Sequence, residues 1–172
     1  QEKLMPAIFE GQQVLANAVK LAKIAKMMQV PVWATEQNPS KLGPNAAELR
    51  ALSDRTLAKM SFSAVEDGLI DLLRPPVKKQ QGGNARSLPK HLQKPAAPQE
   101  PERPSIVIAG CEAHVCLMQT ALQLLEEEME VWVVTDACSS RTERNRDAAF
   151  DRLAGAGAAD ECAGRFAGFF PA

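Results

Sequence analysis

The stretch from Ile106 to Leu125 constrains the fold of this chain more than any other. Its first four residues, Ile-Val-Ile-Ala, are apolar and rich in β-branched side chains, which is typical of a buried strand in a parallel sheet. Gly110 then allows a tight turn, and beyond it apolar residues recur at spacings of three and four, which predicts a helix. A strand, a turn and a helix in this order indicate one unit of an α/β fold.

Cys116 lies in the first turn of the predicted helix, directly after the carboxyl end of the predicted strand. Ligands of parallel sheets bind in the crevice outside the carboxyl ends of the strands. A helix N-terminus also favours negative charge, so it increases the thiolate fraction of a cysteine there. These two effects make Cys116 the expected nucleophile. The other reading is an inert packing residue, because free cysteine is among the most buried residue types.

Strand and helix patterns alternate along the rest of the chain. Helical periodicity runs from Gln12 to about Met28, apolar runs at 30–35 and 131–135 predict strands, and 56–64 carries a weaker strand-and-turn signal. Further helices are predicted at 46–52, from about 65 to 74, and from about 142 to 155. This alternation predicts an α/β fold in which helices cover both faces of a central, mostly parallel sheet.

Right-handed crossovers bring the carboxyl ends of parallel strands to one edge of the sheet. Four residues that follow predicted strands are therefore expected near that edge: Glu36, Lys59, Cys116 and Asp136. Glu36 and Gln37 either line a substrate pocket or belong to a plain loop. Asp136 is either a substrate contact or a hydrogen-bonded structural acid. Lys59, taken alone, is most simply a surface lysine.

The 172 residues are enough for one domain with a sizeable core, and we expect a single domain over 1–172. Residues 75–105 differ from the rest, because they contain seven of the 12 prolines and few large apolar residues, which predicts a linker-like insertion. Its basic residues could contact phosphate, but no aromatic residue is available for base stacking. We therefore expect a solvated insertion and no nucleic-acid partner.

Composition argues against several functional classes. The formal net charge of −1 gives no electrostatic argument for nucleic-acid or membrane binding. No apolar run approaches the length of a membrane span, and no signal peptide is visible. The four cysteines form no CxxC pair and the two histidines lie far apart, so neither a metal nor another cofactor is predicted. Free thiols suggest a reducing, cytoplasmic location.

Four stretches, taken in order and spacing, resemble the isochorismatase-like cysteine hydrolases. They are GCEAHVCLMQT at 110–120, like the nucleophile motif; VWATEQNP at 32–39, like the second-strand loop of the branch without assigned substrates; KMSFSA at 59–64, like the catalytic-lysine motif; and VVTDACSSR at 133–141, like the strand and loop after the nucleophile helix. The resemblance implies a three-layer α-β-α, Rossmann-like fold. It also implies hydrolysis of a small amide or related carbonyl compound.

The resemblance assigns roles to individual residues. The family uses a catalytic triad of Cys, Lys and Asp, which implies that Cys116 is the nucleophile and Lys59 its charged partner. The oxyanion donors would be the backbone N–H groups of Glu112 and Cys116, and the Glu112 side chain is expected to face solvent. The family's non-proline cis peptide bond would fall at Cys111–Glu112.

The third triad member has no counterpart among the 172 residues. The family's aspartate lies at the end of the first strand in an Asp-x-Gln pattern, and Gln1 resembles that Gln. We therefore expect the acid to precede Gln1. The alternative is a non-catalytic binding or scaffold protein on the same fold.

Three further expectations follow from the comparison with the family. The loop after the second predicted strand contains no histidine, which argues against a metal-dependent nicotinamidase. The tail after Gly157 lacks the final strand that the family would have. Self-association into dimers or larger rings is expected by resemblance.

Overall fold

The computed structural model describes residues 1–73 and 104–163. Within these residues strands and helices alternate, as the sequence predicts. The strands are β1 (Trp33–Gln37), β2 (Arg55–Lys59), β3 (Ser105–Cys111), β4 (Glu130–Ser139) and β5 (Ala159–Glu161). The α-helices are α1 (Gly11–Met27), α2 (Pro39–Leu42), α3 (Ala47–Leu52), α4 (Leu69–Leu73), α5 (Met118–Glu126) and α6 (Glu143–Gly155). A 3-10 turn covers Met5–Ala7, and a π-helical turn at Ala113–Leu117 leads into α5.

All strand pairs in the described residues are parallel, which confirms the predicted α/β class. β1 pairs with β2, and β3, β4 and β5 form a second group in that order. The predicted parallel sheet is therefore present in the described residues as groups of two and three strands. Parallel pairing brings the carboxyl ends of the strands in each group to the same side.

β4 is buried on both of its faces because helices lie on either side of it. Val131 and Val133 are buried and pack in one cluster with Leu124 of α5 and Leu153 of α6. Val134, the next residue along the strand, packs in a second cluster that includes residues of α1. Successive side chains of a strand point to opposite faces, so β4 forms the middle layer of three. This is the predicted three-layer arrangement.

α1 forms where the helical periodicity of the sequence predicts it. Its buried residues include Val14 and Ala22, which lie on one face of the helix. Asn17 is also buried, and its Nδ2 donates a hydrogen bond of 2.8 Å to the backbone oxygen of Asp136 in β4. A buried amide needs such a partner, and this bond fixes the position of α1 along β4.

Two element boundaries differ from the sequence prediction. β4 continues to Ser139 instead of ending near Thr135, because Gly110 of β3 pairs with Cys138 after a shift in register. α4 begins at Leu69 instead of near residue 65. Gly68 directly precedes it with a φ of +92°, which a right-handed helix cannot contain.

The expectation that the tail has no final strand is wrong. Residues Ala159–Glu161 form β5, which pairs in parallel with Trp132–Val134 of β4. Alanine, aspartate and glutamate are all depleted in strands, so local propensity gives no signal here. Pairing with a well-buried neighbouring strand outweighs that weak preference.

The predicted insertion at 75–105 lies outside the described residues, except for its last two positions. Ser105 already belongs to β3, so the insertion ends earlier than the sequence suggests. Within residues 1–73 and 104–163, no helix combines the length and apolar character needed to cross a bilayer.

We predict that Leu124→Ala lowers the free energy of unfolding by about 2–5 kcal/mol, because it removes a side chain from a closely packed core. Leu124 is 1% exposed, whereas Met27 at the end of α1 is 82% exposed. Met27→Ala is therefore the control and should change stability by about 0.5 kcal/mol or less. Urea unfolding of both variants measures the difference. Equal effects at the two positions would contradict this account of the core.

Candidate active site

The carboxyl ends of β1 and β2 carry the first part of the site. The parallel register places Gln37, the last residue of β1, directly opposite Lys59, the last residue of β2. β3 ends at Cys111, and the peptide bond from Cys111 to Glu112 is cis, as the family resemblance implies. The chain then enters the π-helical turn that carries Cys116, instead of the first turn of an α-helix as predicted.

Lys59 is a buried lysine, only 3% exposed, and so the reading as a surface lysine is wrong. Its Nζ donates hydrogen bonds to Gln37 Oε1 at 2.6 Å, to Phe62 O at 2.7 Å and to Ser61 O at 3.0 Å. An ammonium has three N–H donors, and these acceptors match that number. Burial lowers the pKa of Lys59, and the neighbouring Cys116 thiol acts in the opposite direction.

Lys59 and Cys116 lie close enough to influence each other through charge, since Cys116 acts to raise the pKa of Lys59. The structure thus brings together the two residues that the sequence proposes as nucleophile and charged partner. The other cysteines near the site have different surroundings. Burial raises the pKa of Cys111 to about 11, and it raises the pKa of the fully buried Cys138 further. Both are poorly suited to form thiolates at neutral pH.

Two side chains of α5 tie the nucleophile to the loop that follows Lys59. Thr120 Oγ1 donates to the backbone oxygen of Cys116 at 2.7 Å and accepts from the N–H of Ala64 at 3.0 Å. One turn further on, Gln123 accepts a hydrogen bond from Ser63 Oγ. Both links connect α5 with the segment directly after the lysine. They fix the position of Cys116 relative to that segment.

Asp67 holds the same loop from its other end. Its carboxylate accepts a hydrogen bond of 2.9 Å from the backbone N–H of Ser61. Desolvation acts to raise the pKa of Asp67, but hydrogen bonds from the Ser61 and Met60 backbones and the nearby Lys59 charge outweigh it and hold the pKa low. The loop carbonyls that accept from Lys59 are therefore kept in place by an ionised side chain.

Glu112 does not face solvent as expected, because Arg141 pairs with it. Arg141 Nη2 and Nε donate to the Glu112 carboxylate at 2.6 Å and 3.1 Å, and Glu112 is only 7% exposed. Burial acts to raise the pKa of Glu112, but Arg141 outweighs it and holds the pKa below its ordinary value. His114 Nδ1 lies 2.8 Å from Ser140 Oγ and 4.0 Å from the Glu112 carboxylate. Together these contacts anchor the peptide that the family resemblance identifies as an oxyanion donor.

The side chains of the predicted pocket residues Glu36 and Asp136 accept hydrogen bonds from the backbone. Glu36 Oε1 accepts from the backbone N–H of Asn45 at 2.8 Å, so its carboxylate holds the following loop. Asp136 Oδ1 accepts from the N–H of Ala163 at 2.7 Å, which fits the structural acid of the two readings. No hydrogen bond recorded for the described residues joins Glu36 or Asp136 to Lys59 or Cys116. In the same residues, no cluster of three or more metal-ligating side chains is present.

Sequence reasoning missed Thr120, Gln123 and Arg141. Thr120 lies four residues after Cys116, so its hydroxyl can reach the Cys116 carbonyl across one helical turn. This four-residue spacing is the sequence signal that could have identified Thr120. The partner of Arg141 lies 29 residues earlier in the chain, and no local pattern identifies it.

Known proteins share much of the sequence of this chain. The family model described as "Isochorismatase domain" matches residues 1–160. Isochorismatase domain-containing protein 2 of Rattus norvegicus is 35% identical over 153 residues, which cover 89% of this chain and 61% of that protein. The Homo sapiens protein of the same name is 34% identical over 162 residues, covering 92% of this chain and 65% of that protein. The chain therefore spans less than two thirds of the length of these relatives.

Solved structures show the same fold. The MAR1 ribonuclease of Caenorhabditis elegans superposes with a TM-score of 0.74 at 28% identity, covering 95% of this chain and 72% of that one. The YcaC protein of Escherichia coli, described as an octameric hydrolase of unknown specificity, has a TM-score of 0.67 at 25% identity, covering 88% and 64%. Fold and sequence thus define an α/β protein with the isochorismatase-like fold. The chain belongs to the isochorismatase family.

We predict that Thr120→Val costs about 1–3 kcal/mol of folding free energy, because it leaves the buried N–H of Ala64 without its acceptor. Thr120→Ser keeps the hydroxyl and should cost less. Chemical denaturation of the two variants and the wild type measures the difference. The bridging role of Thr120 is rejected if valine is tolerated as well as serine.

Proposed function

We propose that this protein is a cysteine hydrolase acting on a small amide or a related carbonyl compound. The observation that supports this most directly is the buried Lys59 ammonium interacting with the Cys116 thiol. A positive charge at this position favours the thiolate, which is the reactive form of cysteine. Membership of a family of hydrolases agrees with this chemistry.

In the proposed mechanism, Cys116 Sγ attacks the substrate carbonyl carbon and forms a C–S bond. The carbonyl oxygen becomes an oxyanion, which the backbone N–H groups of Glu112 and Cys116 stabilise. When the tetrahedral intermediate collapses, the C–N bond breaks and the amine leaves with a proton. Water then attacks the thioester, releases the carboxylic acid and regenerates the thiol.

The proton transfers need an acid–base group, and we assign none among residues 1–172. In residues 1–73 and 104–163, no carboxylate is hydrogen-bonded to Lys59 Nζ; its recorded acceptors are the side-chain amide of Gln37 and two backbone carbonyls. We propose that an aspartate outside the 172 residues completes the triad. Gln37, Glu36 and Asp136 remain proposed neighbours of the substrate.

The domain organisation, the substrate type, the location and the assembly of the protein are also proposals. We propose one domain over 1–172, a small-molecule substrate without a cofactor, cytoplasmic location and assembly of at least a dimer. The description of the E. coli relative as octameric supports assembly. The similar C. elegans structure is that of a ribonuclease. The net charge of −1 gives no support for RNA binding by this chain.

The alternative is a non-catalytic binding protein on the same fold. The observation that favours it is that the recorded acceptors of Lys59 are all uncharged. The two functions differ in the reactivity of Cys116, because a binding protein has no need of an activated thiol.

We predict that iodoacetamide alkylates Cys116 at least tenfold faster than Cys111 at pH 7, since burial raises the pKa of Cys111 to about 11. Mass spectrometry of timed digests resolves the two sites. Cys116→Ser should abolish the fast labelling, and it should also abolish ammonia release from any small primary amide that the wild type hydrolyses. Equal alkylation rates at Cys116 and Cys111 would contradict the proposed nucleophile.

We predict that Lys59→Met slows alkylation of Cys116 by about tenfold at pH 7, because the positive charge that favours the thiolate is removed. Lys20→Met is the matched control, since Lys20 is an exposed residue of α1. Circular dichroism confirms that both variants are folded. An unchanged alkylation rate in folded Lys59→Met would show that Lys59 does not activate Cys116.

A further inference from the structure

The carboxylate of Glu112 lies buried just after the carboxyl end of β3, four residues before Cys116. Its side chain is 9% exposed, and its recorded hydrogen bonds within the described part of the chain come from Arg141. Nε donates to the two carboxylate oxygens at 3.1 and 3.2 Å, and Nη2 donates to Oε1 at 2.6 Å. His114 Nδ1, at 4.0 Å, is too distant for a hydrogen bond. Arg141 is therefore the direct partner of this buried charge.

The pairing of β3 with β4 brings the two side chains together. Cys111 lies opposite Ser139 in the parallel register, so Glu112 and Arg141 follow the ends of neighbouring strands. Thr142, the residue after Arg141, is the N-cap of α6, and its hydroxyl accepts a hydrogen bond from the first turn of that helix. The backbone around Arg141 is thus held by β4 on one side and by α6 on the other. The guanidinium reaches Glu112 from a fixed point.

The backbone of Glu112 is tied to the turn that carries the nucleophile. Its carbonyl oxygen accepts hydrogen bonds from the N–H groups of Val115 and Leu117, both at 3.2 Å. These two residues are the sequence neighbours of Cys116. Glu112 is therefore held by the π-helical turn through its backbone and by Arg141 through its side chain. Loss of the side-chain anchor frees the residue on one of these two sides.

The charge of Glu112 matters because of where it lies. The backbone N–H of the same residue is a proposed oxyanion donor, so negative charge develops close to the carboxylate when the substrate carbonyl is attacked. An unpaired carboxylate would repel that charge, whereas a carboxylate paired with a guanidinium has little net charge. A buried carboxylate that loses its partner is also free to turn away and take its backbone with it. Both effects weaken the oxyanion donor.

We propose that Arg141 is a positioning residue for acyl transfer at Cys116: its hydrogen bonds to the Glu112 carboxylate hold the Glu112 peptide as an oxyanion donor and neutralise the charge beside it. This inference rests on the proposed function, because it concerns how the oxyanion is stabilised. Arg141 then acts through Glu112 and needs no contact with the substrate. The two parallel donors of a guanidinium suit this task, since they fix the orientation of a carboxylate as well as its charge.

Four variants separate these effects. Arg141→Met removes the partner of Glu112; since the Arg141 side chain is 62% exposed, the change opens no core cavity. Arg141→Lys keeps the charge but lacks the planar pair of donors. Arg144→Met removes an arginine from an exposed position of α6 and is the matched control. Glu112→Gln, alone and combined with Arg141→Met, removes the carboxylate through which Arg141 is proposed to act.

The experiment compares two reactions of Cys116 in the full chain. With iodoacetamide, Sγ displaces iodide from a saturated carbon and no oxyanion forms. With p-nitrophenyl acetate, Sγ attacks the ester carbonyl and forms a C–S bond and an oxyanion; collapse then breaks the C–O bond, releases p-nitrophenolate and leaves an acetyl thioester. Both reactions consume the thiolate, so the ratio of acetylation rate to alkylation rate does not depend on the thiolate fraction. Mass spectrometry assigns each product to its cysteine.

We expect Arg141→Met to lower this ratio by about tenfold, since complete loss of an oxyanion donor costs about 10²–10³-fold and here the donor is only displaced. Arg141→Lys should lower it by about threefold, because one ammonium replaces one charge but not two directed bonds. Arg144→Met should match the wild type. In the Glu112→Gln background, Arg141→Met should have a much smaller effect, since the two residues act as a unit. Thermal unfolding confirms that each variant is folded.

The outcomes separate this inference from the proposed function. If wild-type Cys116 is neither acetylated nor alkylated faster than Cys111, the proposed function fails and this inference fails with it. If wild-type Cys116 undergoes both reactions but the ratio is unchanged in Arg141→Met, only the role of Arg141 fails. An equal effect of Arg141→Met with and without Glu112→Gln would also overturn it, because Arg141 would then not act through Glu112. Should Arg141→Met unfold, the ratio in Arg141→Lys decides: a fall supports the role of Arg141, and an unchanged ratio overturns it.

Discussion

The burial of the Lys59 ammonium is the interaction on which the candidate site depends. A charged group taken out of water is costly unless every donor finds an acceptor. Lys59 is 3% exposed, and its recorded hydrogen bonds go to three oxygens, two of them carbonyls in the loop that follows it. The conformation of that loop is therefore constrained by the lysine. The loop in turn is held by Asp67 and, through Ala64, by α5.

The same network links the lysine to the nucleophile. Thr120 bonds both to the carbonyl of Cys116 and to the N–H of Ala64, so the position of the thiol depends on the segment that surrounds the ammonium. On the other side, Arg141 fixes Glu112, whose backbone precedes the π-helical turn. Cys116 is thus held from two directions by polar contacts that span distant parts of the chain. Such networks specify one arrangement when every member is satisfied.

The sequence predicts the features that depend on local pattern, and it misses those that depend on register and distant pairing. The strand, turn and helix around Cys116 follow from a short β-branched run and a helical spacing. The burial of Lys59 does not, because it requires knowing that Gln37 stands opposite it across two strands. The pairing of Glu112 with Arg141 is equally non-local. β5 was missed because its residues have weak strand propensity and form a strand only through pairing with β4.

Within residues 1–73 and 104–163 the hydrogen-bond acceptors of Lys59 are neutral, so they offset only part of the cost of burying its charge. An amide and two carbonyls supply hydrogen bonds without a full negative charge, so part of the desolvation cost remains, in agreement with the lowered pKa of Lys59. That residual cost is smallest when a negative group forms next to the lysine. In the proposed mechanism the triad aspartate and a Cys116 thiolate would each supply such a charge, so the stability of the lysine and the reactivity of the cysteine are coupled.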